Sequence, residues 1–261
     1  MGSVFSSSSQ SIDDTMYSMM FLPPIYPNLK KQMDSLSNNK DIKFINLVTS
    51  SNDTINLMQV SKPTNSKKWI IFSHGNAALS INYYDLAMKY SNNLNVNSIF
   101  YDYPGYGCST GKPTEDSCFE SLSSVVKHLI NDMKVDIQDI ILIGQSIGTG
   151  VVVDYIYKSK WQTPSILISP YTSILDIVSS TSCSSGKIDK FQSLKKIKKI
   201  DCPIKIFHGD QDEVINISLG KLLYDELRNK KFKPVWMKGI GHNNIIENIH
   251  DYDLMEVINN K

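Results

Sequence analysis

The sequence predicts an α/β fold built on a doubly wound, mostly parallel sheet. Three observations carry that prediction. Short apolar runs alternate with longer helix-like segments from Trp69 to the end of the chain. The runs show no polar alternation, which suits strands covered on both faces. A Gly-x-Ser-x-Gly sequence, Gly144 to Gly148, stands at one strand-to-helix junction. Repeated strand–helix alternation of this kind closes into a sheet through right-handed crossovers.

The elements follow in order. Residues 3–11 are mostly serine and have little to bury, so residues 1–15 are expected to be a flexible tail. Met16 to Leu22 is apolar and ends at Pro23-Pro24, which forbid a continuing helix. It is expected to cover the core edge, with contact to a membrane surface as the other reading. Ile42–Val48 and Ile55–Val60 read as two strands around the turn-like Ser50-Ser51-Asn52-Asp53. The later strands are expected at Trp69–Phe72, Ser98–Tyr101, Ile140–Ile143, Ile166–Ile168, Ile204–Phe207 and Val235–Met237. Helices are expected near 80–94, 114–134, 148–160, 216–229 and 244–259. Lysines at 187, 190, 195, 196, 198 and 199 surround Leu194, Ile197 and Ile200 at helical spacing, as on a solvated amphipathic helix with a basic face. With no internal repeat and no second composition regime, residues 16–261 are expected to form one domain. The short interval between Ile168 and Ile204 leaves room for a small cap, at about 171–200.

Composition narrows the function. The 27 Lys and Arg against 26 Asp and Glu leave a formal charge of +1, which argues against nucleic acid as a partner. With 10% aromatic residues the chain is not of the disordered class. No apolar run approaches the ~20 residues of a membrane span. The four cysteines, Cys108, Cys118, Cys183 and Cys202, form no CxxC pair and fit reduced thiols in the cytosol. The start lacks the basic and apolar regions of a secretory signal, but Gly2 followed by Ser6 fits an acylation pattern.

The chemistry centres on Ser146. A serine between two glycines, after a strand and before a helix, is the arrangement of a nucleophile elbow. The tight turn lifts the hydroxyl to the carboxyl edge of the sheet, and the helix amino terminus favours developing negative charge. A serine needs a base. Of the five histidines, His242 lies in a glycine-flanked loop after the last strand, where an imidazole reaches over the serine. His128 and His250 fall in helical segments and read as surface residues. An acid must hold that imidazole, and Phe207-His208-Gly209-Asp210-Gln211-Asp212 offers two. Spacing leaves Asp210 and Asp212 open. The order Ser, Asp, His is that of α/β hydrolases. Oxyanion donors are expected from the N–H of Ile147 and from the loop Ser73-His74-Gly75-Asn76-Ala77-Ala78, with Asn76 preferred to Ala77. His74 is expected to brace that loop, and Asp102 to Gly107 to brace the site.

These stretches together resemble one family. Phe72-Ser73-His74-Gly75-Asn76-Ala77, Tyr101 to Gly107, Gly144-Gln145-Ser146-Ile147-Gly148-Thr149, His208 to Val214 and Gly241-His242-Asn243 resemble the alpha/beta hydrolase domain-containing protein 17 group, serine hydrolases that act as protein depalmitoylases. The resemblance runs from about Phe21 to the last helix. It implies the alpha/beta hydrolase fold, and it selects Asp212, the third residue after the glycine of the His-Gly pair. The chain departs from the group in having no cysteine before Cys108, where the group carries a palmitoylated amino-terminal cluster.

The reading that follows is acyl-ester or thioester hydrolysis by Ser146, His242 and Asp212 through an acyl-enzyme, without metal or organic cofactor. S-acyl protein is the leading substrate and a small acyl ester the alternative. The rival readings are a carboxylesterase or lipase, a serine peptidase and a non-catalytic hydrolase-fold receptor. The chain is expected to be a monomer in the cytoplasm, peripheral to the cytoplasmic face of membranes through Gly2 and one further contact.

Overall fold

The computed structural model describes residues 15–61, 66–178 and 189–259. The proposed acyl acceptor Gly2, most of the serine-rich tail, Cys183 and Lys187 lie outside the described residues.

Eight strands form one sheet in the order β1-β2-β4-β3-β5-β6-β7-β8. They are β1 (Ile42–Val48), β2 (Thr54–Val60), β3 (Trp69–Ser73), β4 (Asn97–Tyr101), β5 (Ile140–Gln145), β6 (Ser165–Ile168), β7 (Ile204–Gly209) and β8 (Val235–Met237). The pairs β1–β2 and β2–β4 are antiparallel; all others are parallel. Each strand overlaps the run that predicted it. The continuous apolar runs serve two cores at once. Trp69, Ile71, Ile140 and Leu142 face one layer, and their neighbours Ile70, Phe72, Ile141 and Ile143 face the other. Alternate side chains of a strand point to opposite faces, so a strand covered twice must be apolar throughout.

The helices are α1 (15–20), α2 (Leu29–Leu36), α3 (Tyr84–Lys89), α4 (Glu115–Lys127), α5 (Ile147–Ser159), α6 (Ile174–Val178), α7 (Ser193–Ile197), α8 (Ile217–Asp225), α9 (Ile245–Asn248) and α10 (Asp251–Ile258). α5 packs along β5 and is buried from Ile147 to Ile156. Its Val151-Val152-Val153 triplet is a weak helix former, and burial on both sides overrides propensity. α4 begins at Thr114, whose hydroxyl accepts from the Ser117 N–H at 3.0 Å, with Glu115 and Asp116 in its first turn.

Several boundaries differ from expectation, each for a physical reason. The 244–259 segment breaks at Ile249–His250. A straight helix would place Ile245 and Ile249 opposite Leu254, Val257 and Ile258; the break lets all five enter one core. The 80–94 segment is a 3₁₀ turn, α3 and a wide π turn, and α4 also ends in a π turn at His128–Asp132. His128 is half-buried there, and His250 sits in the exposed break rather than within a helix. The lysine-rich helix is only α7, and three lysines in or just after it are engaged. Lys196 bonds Asp154 at 2.6 Å and Glu115 at 3.3 Å, Lys198 pairs with Glu226, and Lys199 lies over the Tyr157 ring. Of the apolar stretch before Pro23, Met20 and Phe21 are buried, but Met19 and Leu22 are 74% and 54% exposed.

Candidate active site

The carboxyl ends of β3, β5, β7 and β8 converge on one rim, where loops from each bring side chains together. Ser146 stands between β5 and α5 with φ 52° and ψ −122°. Such a backbone costs a non-glycine residue about 1–3 kcal/mol and persists only where its surroundings impose it. Here the Ser146 N–H donates to Ile168 O on β6 at 2.9 Å, and the Thr149 hydroxyl and N–H both donate to Ser146 O. Gly148 lets α5 approach β3, since a Cβ there would strike the Ser73 carbonyl.

His242 comes from the β8–α9 loop and is buried. Its Nε2 lies 3.1 Å from Ser146 Oγ, and its Nδ1 lies 2.9 and 3.0 Å from the two oxygens of Asp212. The Nδ1 contact fixes the tautomer: Nδ1–H donates to the carboxylate, leaving Nε2 to accept from the serine. Asp212 also accepts from the N–H groups of Val214 and Ile215 at 3.1 and 2.7 Å. Burial pushes its carboxyl up, but the hydrogen bonds from His208, His242 and Ile215 outweigh burial and hold it well below the usual carboxylate range. Asp210, the rival acid, is exposed and points elsewhere. It accepts from the Gly239 N–H at 2.6 Å and so secures the loop that carries His242.

Ile147 is the first residue of α5, so helix geometry leaves its N–H without an intrahelical acceptor. Across the rim, the Asn76 side chain is held from four directions. Its Oδ1 accepts from Leu22 N–H (2.9 Å), Ala77 N–H (2.9 Å) and Tyr106 hydroxyl (2.7 Å), and its Nδ2 donates to Met20 O (2.7 Å). Ala77, the other candidate donor, adopts φ 53° beside it. His74 is buried beneath this loop. Its Nδ1 lies 2.7 Å from Gly75 O, its carbonyl accepts from the Tyr103 hydroxyl at 2.6 Å, and its ring packs 4.2 Å from that of Tyr103. Burial lowers its pKa to about 4, against the opposing pull of the Gly75 carbonyl, so the ring is neutral near pH 7. Asp102 is 3.9 Å from His74 Nε2 and accepts from the Ser80 N–H at 2.6 Å. Burial raises its pKa to about 6, and the bonds from Ser80 pull the other way.

Three contributors escape a reading of motifs. Tyr83 donates to Gln145 Oε1 at 2.8 Å, one residue before the serine. His208 packs under Asp212, with its Nε2 2.8 Å from Ile215 O and 3.5 Å from the Asp212 carboxylate. The α1 segment touches the Asn76 loop from 56 residues away. The last leaves a sequence signal, the apolar stretch cut off by two prolines, and His208 stands in the His208 to Val214 stretch, whose pattern does not show its contact with Ile215. Among the described residues no cluster of three His, Cys, Asp or Glu could hold a metal ion, and no helix is long and apolar enough to cross a membrane.

Comparison with known proteins adds an independent line. The family described as phospholipase/carboxylesterase matches residues 111–253, and that described as Chlamydia CHLPS protein matches residues 6–164. A putative alpha/beta hydrolase, L404, of Acanthamoeba polyphaga mimivirus is 41% identical over 98% of this chain and 97% of its own. Human alpha/beta hydrolase domain-containing protein 17B is 32% identical over 81% of this chain and 75% of its own. Among solved structures, the Pyrococcus furiosus esterase Pf2001 superposes with a TM-score of 0.69 at 18% identity, covering 92% of this chain and 97% of that one. Est1E of Butyrivibrio proteoclasticus, solved with ferulic acid bound, gives 0.64 at 18% identity over 82% and 96%. At such identities the likeness is one of fold.

Proposed function

The chain belongs to the alpha/beta hydrolase domain-containing protein 17 family, and from that premise we propose that it hydrolyses acyl thioesters and esters by a Ser146–His242–Asp212 triad. Family and fold make it an esterase-like hydrolase; the nucleophile and the substrate are our reading. One observation carries that reading. An unbroken line of contacts runs from Ser146 Oγ through His242 to a buried, ionised Asp212, on a rim reached by solvent.

In this scheme Ser146 Oγ attacks the acyl carbonyl as its proton passes to His242 Nε2. The oxyanion accepts hydrogen bonds from the N–H groups of Ile147 and Asn76. Collapse breaks the bond to the leaving sulfur or oxygen, which takes the proton from His242. Water then gives a proton to His242 and attacks the acyl-enzyme, releasing the carboxylic acid and restoring Ser146. Asp212 stays ionised throughout and stabilises the imidazolium. The residues need no cofactor for these steps.

The favoured substrate is an S-acylated protein, supported by the depalmitoylase character of the resembling group and by the apolar cavity that borders Ser146. A carboxylesterase acting on small acyl esters is the second reading, favoured by the phospholipase/carboxylesterase match. The deciding measurement is labelling by a fluorophosphonate probe in wild type and Ser146→Ala, competed with a palmitoyl-thioester peptide. Labelling that vanishes in the variant and yields to the peptide is expected. Labelling of Ser146→Ala at the wild-type rate would remove the nucleophile. No labelling of either protein would favour a non-catalytic receptor.

Membrane contact is part of the proposal. A single myristoyl chain on Gly2 binds with K on the order of 10⁴ M⁻¹, so a second contact is required. The exposed Leu22 and Ile25 beside α1 are suited to it, more so than the engaged lysines near α7. Gly2→Ala is expected to shift the chain to the aqueous fraction, and unchanged fractionation would end the lipidation reading.

A further inference from the structure

Ser146 sits where two cavities of different chemistry meet. One, of about 710 Å³, mixes polar and apolar groups: Asp85, Lys89, Glu247 and His242 line it beside Leu86 and Ile246. The other, of about 440 Å³, runs the opposite way between α1 and α6, lined by Met16, Met19, Met20, Ile174, Leu175 and Ile177. Ser146, Asn76 and Val214 border both; His242 borders only the larger, mixed one, and Ile147 only the apolar one.

That asymmetry orients the substrate. The imidazole that receives the serine proton must also deliver it to the departing atom, so the leaving group lies on the His242 side. The acyl carbon is bonded to both the leaving group and the tail, and the tail therefore points away from His242. We propose that the groove between α1 and α6 binds an unbranched, long acyl chain, and that Met16, Met19 and Met20 form the wall that sets its preferred length. The proposal rests on Ser146 as the nucleophile and adds the direction and selectivity of the acyl half.

Two further observations fit this role. Methionine side chains are flexible and polarisable, so three on one wall can close around chains of differing shape. The wall is also tied to the chemistry. Met20 O accepts from Asn76 Nδ2, and Leu22 N–H donates to Asn76 Oδ1, so one asparagine fixes both the groove wall and the loop expected to donate to the oxyanion. α1 is thereby part of the active site although it carries no reacting group.

The test uses the full chain and p-nitrophenyl esters from acetyl to decanoyl, which hold the leaving group constant. In wild type, kcat/KM is expected to climb with chain length by up to about fourfold per methylene buried, then level off when the groove is full. Ile177→Trp and Met16→Trp narrow the groove from opposite walls, and each should lower the decanoyl-to-acetyl ratio of kcat/KM at least tenfold. Leu86→Trp, in the larger, mixed cavity, should leave that ratio within twofold and instead slow substrates with bulky leaving groups. A flat series in wild type, or a ratio that neither groove variant moves, overturns the assignment. If one groove variant does not fold, the other carries the test from the facing helix. Ser146→Ala separates the two claims. Inactivity of this variant with a flat wild-type series sinks the groove alone, whereas undiminished turnover by the variant sinks the nucleophile beneath it.

Discussion

The two sides of Ser146 are built differently. On the elbow side, β5, α5 and the loop after β3 interlock through backbone. The serine is held at φ 52° by a bond to the next strand, and Gly148 presses against the Ser73 carbonyl. On the groove side, α1, α6 and α7 are helices of five or six described residues, held by an asparagine bridge, an aromatic cluster around Phe21, the Lys196 ion pairs and two backbone bonds, from Ile174 N–H to Lys190 O and from Leu194 N–H to Thr172 O. The elbow fixes the geometry of reaction and tolerates almost no change. The groove fixes what is admitted, through contacts that exchange individually. A hydrolase can alter selectivity on one side without disturbing the other.

The sharpest challenge to this contrast is Gly148→Ala. A Cβ cannot fit beside the Ser73 carbonyl, and overpacking of this rigid kind should cost about 3 kcal/mol or more, read as a fall in denaturation midpoint together with lost turnover. Retention of wild-type stability would show the elbow to be pliable.

Next in size is the buried pair beneath the Asn76 loop, whose effects on pH stability oppose one another. His74, lowered to about 4, stabilises above the unfolded pKa near 6.5 and loses that contribution as pH falls through 4. Asp102, raised to about 6, stabilises fully below its unfolded pKa of 3.8 and loses that contribution as pH rises through 6. Each contributes up to ~3 kcal/mol, so they largely cancel between pH 7 and 4. Asp102→Asn removes one arm. Relative to wild type it should lose up to ~3 kcal/mol on acidification from pH 7 to 4, measured by urea unfolding at each pH. Parallel curves would refute the opposition.

Asn76→Ala tests the link between the two sides. Freeing Met20 O and Leu22 N–H from their shared partner should lower kcat by about 10- to 100-fold, with a modest change in KM. An effect on acyl-length preference alone would place the asparagine wholly in the groove. The mildest change is Lys196→Ala. Asp154 is nearly fully buried but retains Lys158 at 2.9 Å, so about 1–2 kcal/mol of stability should be lost, less than for an orphaned buried charge. A loss of 3–5 kcal/mol would mean that Lys158 does not compensate.

The same contrast explains what the sequence makes legible. Strands covered twice must be apolar throughout, so the central strands stand out, while β1 is legible from its pairing with β2 around a turn, and an elbow needs glycines at fixed spacing around one serine. The acid is different: Asp210 and Asp212 are equal by spacing, the family resemblance selects Asp212, and the loop geometry sends it to the imidazole and Asp210 to Gly239. The groove side is nearly silent in the sequence. α6 and α7 are too short for periodicity to register, and the role of Asn76 as a bridge depends on Met20 and Leu22, which no local pattern connects to it. The single helix expected over 244–259 failed because its apolar positions fall on opposite faces, a conflict visible in the spacing itself.

The ring of Phe21 packs edge-on against Tyr103, Tyr106 and Phe191. Phe21 thus finds its last ring neighbour 170 positions further along the sequence. Contacts of such separation in sequence form late. The segment that walls the groove therefore docks only after most of the residues around it have been made.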